Sequence, residues 1–280
     1  MRGGREFERE RMVGALVESQ RTLDSHQISL SMLLQNCDAE ALSAAGATLP
    51  AFVHPVAAPG RVSLSSARNI LLRRLHAAGA IGADALVAFP DDDCWYPPGF
   101  LAQVAALFAR DPQLDFWFCR YGSQPSQSTF AEAVPTVAST AEIVRNASSN
   151  TIFLRGRVVN AIGGFDEALG VGTPAGGAED LDFVLRARRA ARKTAYWDEA
   201  LVGHRDKNPE LLARYYPSGL LVLARYARSG ASSEFRRKIA VGIYHMLRRR
   251  IHPMDLGRAL RQAFAERRHP KSLGPFGSDA

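Results

Sequence analysis

From residue 8 to residue 197, short apolar runs alternate with segments of helical period, and this alternation limits what the chain can fold into. Glu8 to Leu23 reads as a helix with Met12, Leu16 and Leu23 on one side. Gln27 to Gln35 alternates apolar and polar residues and then runs apolar, as a buried strand does. Ser65 to Ala77 is a helix whose Ile70, Leu71 and Leu75 share a face, and Ala85 to Phe89 is a short strand stopped by Pro90. Gly99 to Ala109 carries Phe100, Leu101, Val104, Leu107 and Phe108 at helical spacing. Leu114 to Cys119 and Thr194 to Trp197 read as strands, Thr151 to Leu154 as a further one, and Glu179 to Ala191 as a helix. Pro, Ser and Gln cluster from Tyr121 to Ser128 as an exposed loop. Alternation of this kind predicts an α/β sandwich with a largely parallel sheet.

After Asn208 the strand signals stop, and two or three helices rich in Leu, Tyr and Arg follow. The expected division is a catalytic-type domain over 1–205 and a basic helical extension over 206–280. Charge supports it. From Arg205 onward there are 16 Lys and Arg against 6 Asp and Glu; before it there are 19 against 22. The overall charge of +7 therefore belongs to the tail. Composition excludes wholesale disorder, with 46% hydrophobic and 22% charged residues. Three cysteines without a CxxC pair argue against a disulfide framework or a cysteine zinc site and fit a reducing compartment. No apolar run approaches the roughly 20 residues of a membrane span, and MRGGREFERERM has no signal-peptide core. A cytoplasmic location is expected.

The most informative local feature is Phe89-Pro90-Asp91-Asp92-Asp93-Cys94-Trp95. Three adjacent carboxylates repel one another and need a cation or full solvation. They follow a buried strand, where open α/β folds bind ligands. Asp91 and Asp93 can point the same way and meet a hard divalent ion through oxygen; an acidic surface turn is the plainer alternative. A second cluster runs Gly163-Gly164-Phe165-Asp166-Glu167, then a glycine-rich loop from Gly170 to Gly177 that includes Gly176, then Glu179-Asp180 at a helix start. Capping of the helix dipole would account for Glu179. The glycine-rich loop adds the prospect of closure over a ligand. His204 follows Leu201-Val202-Gly203, a position where a lone histidine is more often structural.

In this order, Ala67-Arg68-Asn69, FPDDD, GGFDE, Glu179-Asp180 and His204 resemble the family 2 glycosyltransferases with the GT-A fold, over about residues 10 to 205. FPDDDCWYPPGFL is especially similar to bacterial members that build surface polysaccharides. The resemblance implies a Rossmann-like mixed sheet flanked by helices, with the C-terminal helices as an extension. It also implies roles. Asp93 and Asp91 are the outer residues of a D-x-D motif that holds Mg²⁺ or Mn²⁺ and contacts the nucleotide, with His204 closing the metal site. Arg68, Asp92 and Asp38 fall on the nucleotide side, although Gln35-Asn36-Cys37-Asp38 departs from the family's usual run there. Asp180, with Glu179 beside it, is the catalytic base. Trp95, Gly176 and Gly177 fall on the acceptor side. One carboxylate base and no evident protein nucleophile imply single displacement with inversion, from a nucleotide-sugar donor to a hydroxyl of a glycan or lipid-linked acceptor.

The resemblance also implies a central first strand with a nucleotide-binding turn. The charged opening MRGGREFERERM cannot be that strand, and Arg11 to Leu23 resembles the helix that follows it. The expectation is that this strand is absent, through a late start or a loss. That would leave a groove between two sheet neighbours and weaken nucleotide binding or folding.

The tail repeats Arg236-Arg237-Lys238, Arg248-Arg249-Arg250 and Arg267-Arg268 between apolar residues, with Ile239, Ile243, Tyr244 and Leu247 expected to face inward. A solvated helix face and docking at the anionic inner face of the plasma membrane are equally weighted readings. No nucleic-acid module accompanies the charge, so nucleic acid ranks last. A degenerate, non-catalytic glycosyltransferase-like binding module is the alternative function. A phosphatase of the haloacid dehalogenase kind is disfavoured, because its D-x-D is expected near the start of a domain.

Overall fold

In a computed structural model of the chain, the residues described are 3–23, 28–132, 134–206 and 212–268. They form an α/β sandwich. Helix α1 (Gly3–Thr22) leads into strand β1 (Leu30–Gln35); Gln27, the expected start of that strand, lies outside the described residues. Then follow α2 (Ala39–Thr48), β2 (Val53–Ala58), α3 (Leu64–Ala77), β3 (Leu86–Ala88) and α4 (Phe100–Arg110). Next come β4 (Leu114–Gly122), β5 (Thr136–Val137), α5 (Thr140–Asn146), β6 (Ile152–Arg155) and α6 (Gly156–Ile162). The chain continues through α7 (Glu179–Ala190) and β7 (Lys193–Gly203), and closes with α8 (Leu212–Tyr226), α9 (Ser232–Leu247) and α10 (Pro253–Arg268).

Five strands form one sheet in the order β3-β6-β4-β7-β5, and β1 and β2 form a separate parallel pair. The sheet is mixed, and this corrects the largely parallel one read from alternation. Only β4–β7 is parallel within it; β3–β6, β4–β6 and β5–β7 are antiparallel. The reason lies in β6. The chain from β4 returns through β5, α5 and a single 3₁₀ turn (Ser149–Thr151), and so enters the sheet in the opposite sense.

Residues alternate across the central strands and divide the core in two. Phe116 and Phe118 of β4 and Leu154 of β6 face a cluster shared with α6, α7 and α8 to α10. Trp117, Cys119 and Phe153 face a second cluster with α4 and with Met12 and Leu16 of α1. The C-terminal helices therefore share a core with the sheet. A buried charge network binds them as well: Arg225 of α8 donates to Asp182 of α7 at 2.7 Å, to Asp166 at 3.1 Å and to Glu266 of α10 at 2.7 Å.

One helix is rotated from the expectation. In α9 the buried residues are Glu234, Phe235, Gly242 and His245; of the four residues expected inward, Ile239 packs partly buried against the core, while Ile243, Tyr244 and Leu247 are exposed. Gly242 sets this phase, because a Cβ there would collide with the Tyr216 hydroxyl of α8. Among the described residues no helix is long and apolar enough to cross a membrane.

Candidate active site

Asp91, Asp92 and Asp93 follow β3 after Phe89 and Pro90. Beyond them Trp95 forms a two-bond antiparallel bridge with Gly203, the last residue of β7, with both N···O distances 2.9 Å. Its indole occupies the space that a Cβ at Gly203 would need, so glycine permits the contact. The Arg11 guanidinium lies over the same ring, 3.3 Å from its centroid. This bridge sets the residue after β7, His204, against the residue two before Trp95, Asp93. His204 Nε2 is 3.1 Å from Asp93 Oδ1, and Arg205 Nη1 is 3.2 Å from Asp93 Oδ2.

One ligand atom each from Asp91, Asp93 and His204 lies within 4.8 Å of the others. His204 Nδ1 is 2.8 Å from the Arg205 carbonyl, which orients the ring and, in the neutral tautomer that donates to it, leaves the Nε2 lone pair toward the carboxylates. Two carboxylates and one imidazole make a donor set that could hold a divalent metal ion. Burial opposes charge on both Asp93 and His204. The hydrogen bond and attraction between them outweigh that, holding Asp93 below its ordinary pKa and His204 above its own.

Arg68, in the second turn of α3, joins the two acidic clusters. It is buried and donates to Asp180 Oδ1 at 2.8 Å, to Asp91 Oδ1 at 2.9 Å and to Ser149 Oγ at 2.7 Å. Burial alone would lower its pKa; attraction to Asp180, Asp91 and Glu179 raises it. For Asp91 burial raises the pKa, and the Arg68 charge only partly offsets this. Asp180 Oδ2 accepts from the Ser149 N–H at 2.9 Å and the Ser148 hydroxyl at 3.3 Å. Glu179 is buried beside it; burial, then repulsion by Asp180, pushes its carboxyl up to about 7. The residue before this pair, Ala178, has φ +70°, a conformation that costs a non-glycine residue on the order of 1 kcal/mol or more. The glycine-rich loop ahead of it is closed by Gly170 N–H to the Gly177 carbonyl at 3.2 Å.

The structure thus brings Asp91, Asp93, Arg68, Asp180, Glu179 and His204 into one connected cluster. Asp92 is exposed. Asp38 is the N-cap of α2, where its side chain accepts the Ala41 N–H at 2.8 Å. Gly176 is buried at φ +73°, and Gly177 packs against the Tyr215 ring of α8. Sequence reading missed Ser149 and Asn150. Asn150 accepts the Asp91 N–H at 2.7 Å and donates to Asp91 Oδ2 at 3.1 Å, which fixes that carboxylate's orientation. Their only signal was a polar run, Ser148-Ser149-Asn150, just before an apolar strand. Arg205 was missed because it reads as one more tail cation.

No protein-family model matches the sequence, and no curated protein matches it. Solved structures do match. A crystal structure of S. aureus TarS aligns over 86% of this chain and 42% of its own, at 16% identity and a TM-score of 0.59. A crystal structure of S. aureus TarS 1-349 aligns over 78% of this chain and 62% of its own, at 16% identity and a TM-score of 0.53. The chain spans well under two thirds of the first of these and just under two thirds of the second. At this identity the likeness establishes the fold: a GT-A-like mixed sheet flanked by helices, followed by C-terminal helices.

Proposed function

We propose that this chain is a metal-dependent inverting glycosyltransferase. It would move a sugar from a nucleotide-diphosphate donor to a hydroxyl of a glycan or lipid-linked acceptor in bacterial polysaccharide synthesis. The observation that carries the reading is the convergence of Asp91, Asp93 and His204 at the carboxyl ends of β3 and β7, with Asp180 tied to the same cluster through Arg68. The fold shared with TarS supports it.

Asp91, Asp93 and His204 would hold Mg²⁺ or Mn²⁺. When bound there, the ion supplies Lewis-acid neutralisation of charge on a departing nucleoside diphosphate. Asp180 is the assigned base. Three donors reach its two oxygens, leaving one of about four lone-pair sites for an acceptor proton. Its side chain is a quarter exposed, so a hydroxyl can approach. Arg68 orients Asp180 through the 2.8 Å hydrogen bond and is assigned to the donor nucleotide as well. Asp38 and Asp92 are assigned to the nucleotide side, and Trp95, Gly176 and Gly177 to the acceptor side. The extension over 206–280 is assigned to an anionic membrane surface on the cytoplasmic side. Exposed Ile243, Tyr244 and Leu247 adjoin Arg248, Arg249 and Arg250 in support. Vesicle binding that does not weaken with salt, or no binding, would remove that assignment.

Thermal melting with UDP, dTDP and GDP, each with and without Mn²⁺, tests the donor site on wild type and Asp93→Asn. At 100 times Kd a ligand stabilises the native state by about 2.7 kcal/mol. The expected result is a rise with one nucleotide that requires both metal and Asp93, and loss of sugar transfer in Asp180→Asn. A cooperative melt without any shift would favour the second reading, a non-catalytic binding module. The ion pairs in which Arg68 already engages Asp91 and Asp180 favour that reading.

A further inference from the structure

The C-terminal helices hold a cavity of their own. Its volume is about 310 Å³, and it lies between α8, α10 and the turn that joins α9 to α10. Buried Tyr216, Ile251 and Ala259 give it an apolar floor. Arg250 and His252 of the turn and Asp255 and Arg258 of α10 line it as well, and all four are exposed. Helix α9 ends with the Arg249 N–H donating to the Met246 carbonyl and the Arg250 N–H to the His245 carbonyl, both at 2.9 Å. This closure puts Arg249 at φ +56°, where glycine is the usual residue, and brings residues 250–252 round to the cavity.

The lining is rich in donors and poor in neutralising charge. From Arg236 to Arg261 there are eight Lys and Arg against one carboxylate, Asp255. Asp255 shares the cavity wall, yet among the described residues neither Arg250 nor Arg258 has an ion-pair partner. The field nearby is positive: burial, then repulsion by Arg250 and Lys238, holds His245 below its ordinary pKa. His252 Nδ1 accepts the Met254 N–H at 3.3 Å, so in the neutral ring Nε2 carries the proton and is a donor. The end of α10 adds nothing to this set, because the N–H groups of Met254, Asp255 and Leu256 are all taken by His252. Two guanidinium forks and an imidazole N–H match an acceptor with several oxygens and more than one charge. A carboxylate has two oxygens and one charge; a phosphate monoester has three oxygens and nearly two charges at neutral pH. Inorganic phosphate would leave the apolar floor bare, and a carbon body attached to it covers that floor.

We infer that this cavity binds an organic phosphate monoester, its phosphate held by Arg250, Arg258 and His252 and its carbon body set against Tyr216, Ile251 and Ala259. The site shares no residue with the Asp91, Asp93 and His204 cluster and does not depend on the transferase reading. The monoester has two possible sources with the same chemistry. Leu247 and Met254, which are 73% and 68% exposed, flank in sequence the turn that carries Arg250 and His252. That arrangement suits a phosphate at the surface of a lipid bilayer. A soluble ester uses the same donors.

Glycerol 3-phosphate, the phosphate-bearing portion of phosphatidic acid, is the probe. Titrated into the 280-residue chain, it should shift the amide resonances of residues 250–262 and saturate. Its affinity, measured by calorimetry, should fall about tenfold in Arg250→Gln and in Arg258→Gln, each of which removes one charge-assisted contact. It should rise in Asp255→Asn, which removes the single carboxylate of the wall. Arg236→Gln and Arg261→Gln make the same change in charge outside the lining and should leave affinity within about twofold. No saturable shift by about 10 mM would overturn the inference. So would shifts spread evenly along residues 236–262, or equal losses at Arg236 and Arg258. The resonance shifts are read on the wild-type chain, so the test stands even where a variant does not fold. Phosphatidylcholine vesicles carrying phosphatidic acid, set against phosphatidylglycerol at equal surface charge, separate the sources. Retention by phosphatidic acid alone, released by glycerol 3-phosphate, supports the site with a lipid headgroup as its ligand. Binding of free glycerol 3-phosphate without preference between the vesicles supports it with a soluble ester.

Discussion

Strands β4 and β3 are both apolar, yet they live in different surroundings. Leu114 to Cys119 of β4 are completely enclosed, between β6 and β7 and between two layers of helix. Leu86, Val87 and Ala88 of β3 are only half-buried, as are the first residues of β1, because one edge of each faces an open slot of about 540 Å³ that both line. The candidate metal cluster sits where these regions meet. Asp91 and Asp93 leave the open-sided β3, but Asn150, the Trp95–Gly203 bridge and His204 tie them to the closed side. The candidate cluster is thus tied to the enclosed side of the sheet, while the side nearest Arg68 and α3 borders the slot.

The largest effect should come from comparing two leucines across the β3–β6 pair. Leu154→Ala, in the enclosed β6, should cost about 2–5 kcal/mol by urea unfolding. Leu86→Ala, beside the slot, should cost about 1 kcal/mol, since less surface leaves water there. Equal losses would mean that the slot is closed in solution and the contrast is wrong.

A smaller effect is expected at the tie itself. Gly203→Ala drives a methyl into the Trp95 indole, and overpacking of this kind costs about 1–3 kcal/mol. Because the bridge aligns Asp93 with His204, Mn²⁺ affinity followed by electron paramagnetic resonance should fall about tenfold or more. Unchanged affinity in a folded variant would show that the open side holds the cluster without the bridge.

The smallest effect should be at Glu179. Its folded pKa of about 7 lies above the ordinary 4.5, so the folded state binds the extra proton. Stability from this group is complete below about pH 4.5 and declines as pH rises through 7. Glu179→Gln should therefore match wild type at pH 4.5 and be more stable than it at pH 8. The same stability difference at both pH values would show that Glu179 is not held protonated.

Most helices and strands were legible because periodicity is a local property. The α4 helix and the β4 strand lie where their apolar patterns predict. Strand β2 went unread because it contains Pro55, which only an edge position tolerates, and β2 pairs on one side alone. Strand β7 was cut short at Trp197 because Asp198 and Glu199 break its apolar run. In the fold Asp198 accepts from Arg120 and Tyr196, and Glu199 from Ser126, which lets the strand continue. The stripe of α9 was misjudged because hydrophobicity does not report the close approach that Gly242 allows.

The sequence by itself determined the α/β class, the order of the motifs, and the carboxylates and histidine that could do chemistry, since these follow from residue type and spacing. Only the tertiary structure decided the direction of β6, the pairing of Asp93 with His204 across more than a hundred residues, the bridging place of Arg68 and the open slot between β1 and β3. Those depend on which chain segments become neighbours. That is settled by burying many faces at once, and no local pattern of residues encodes it.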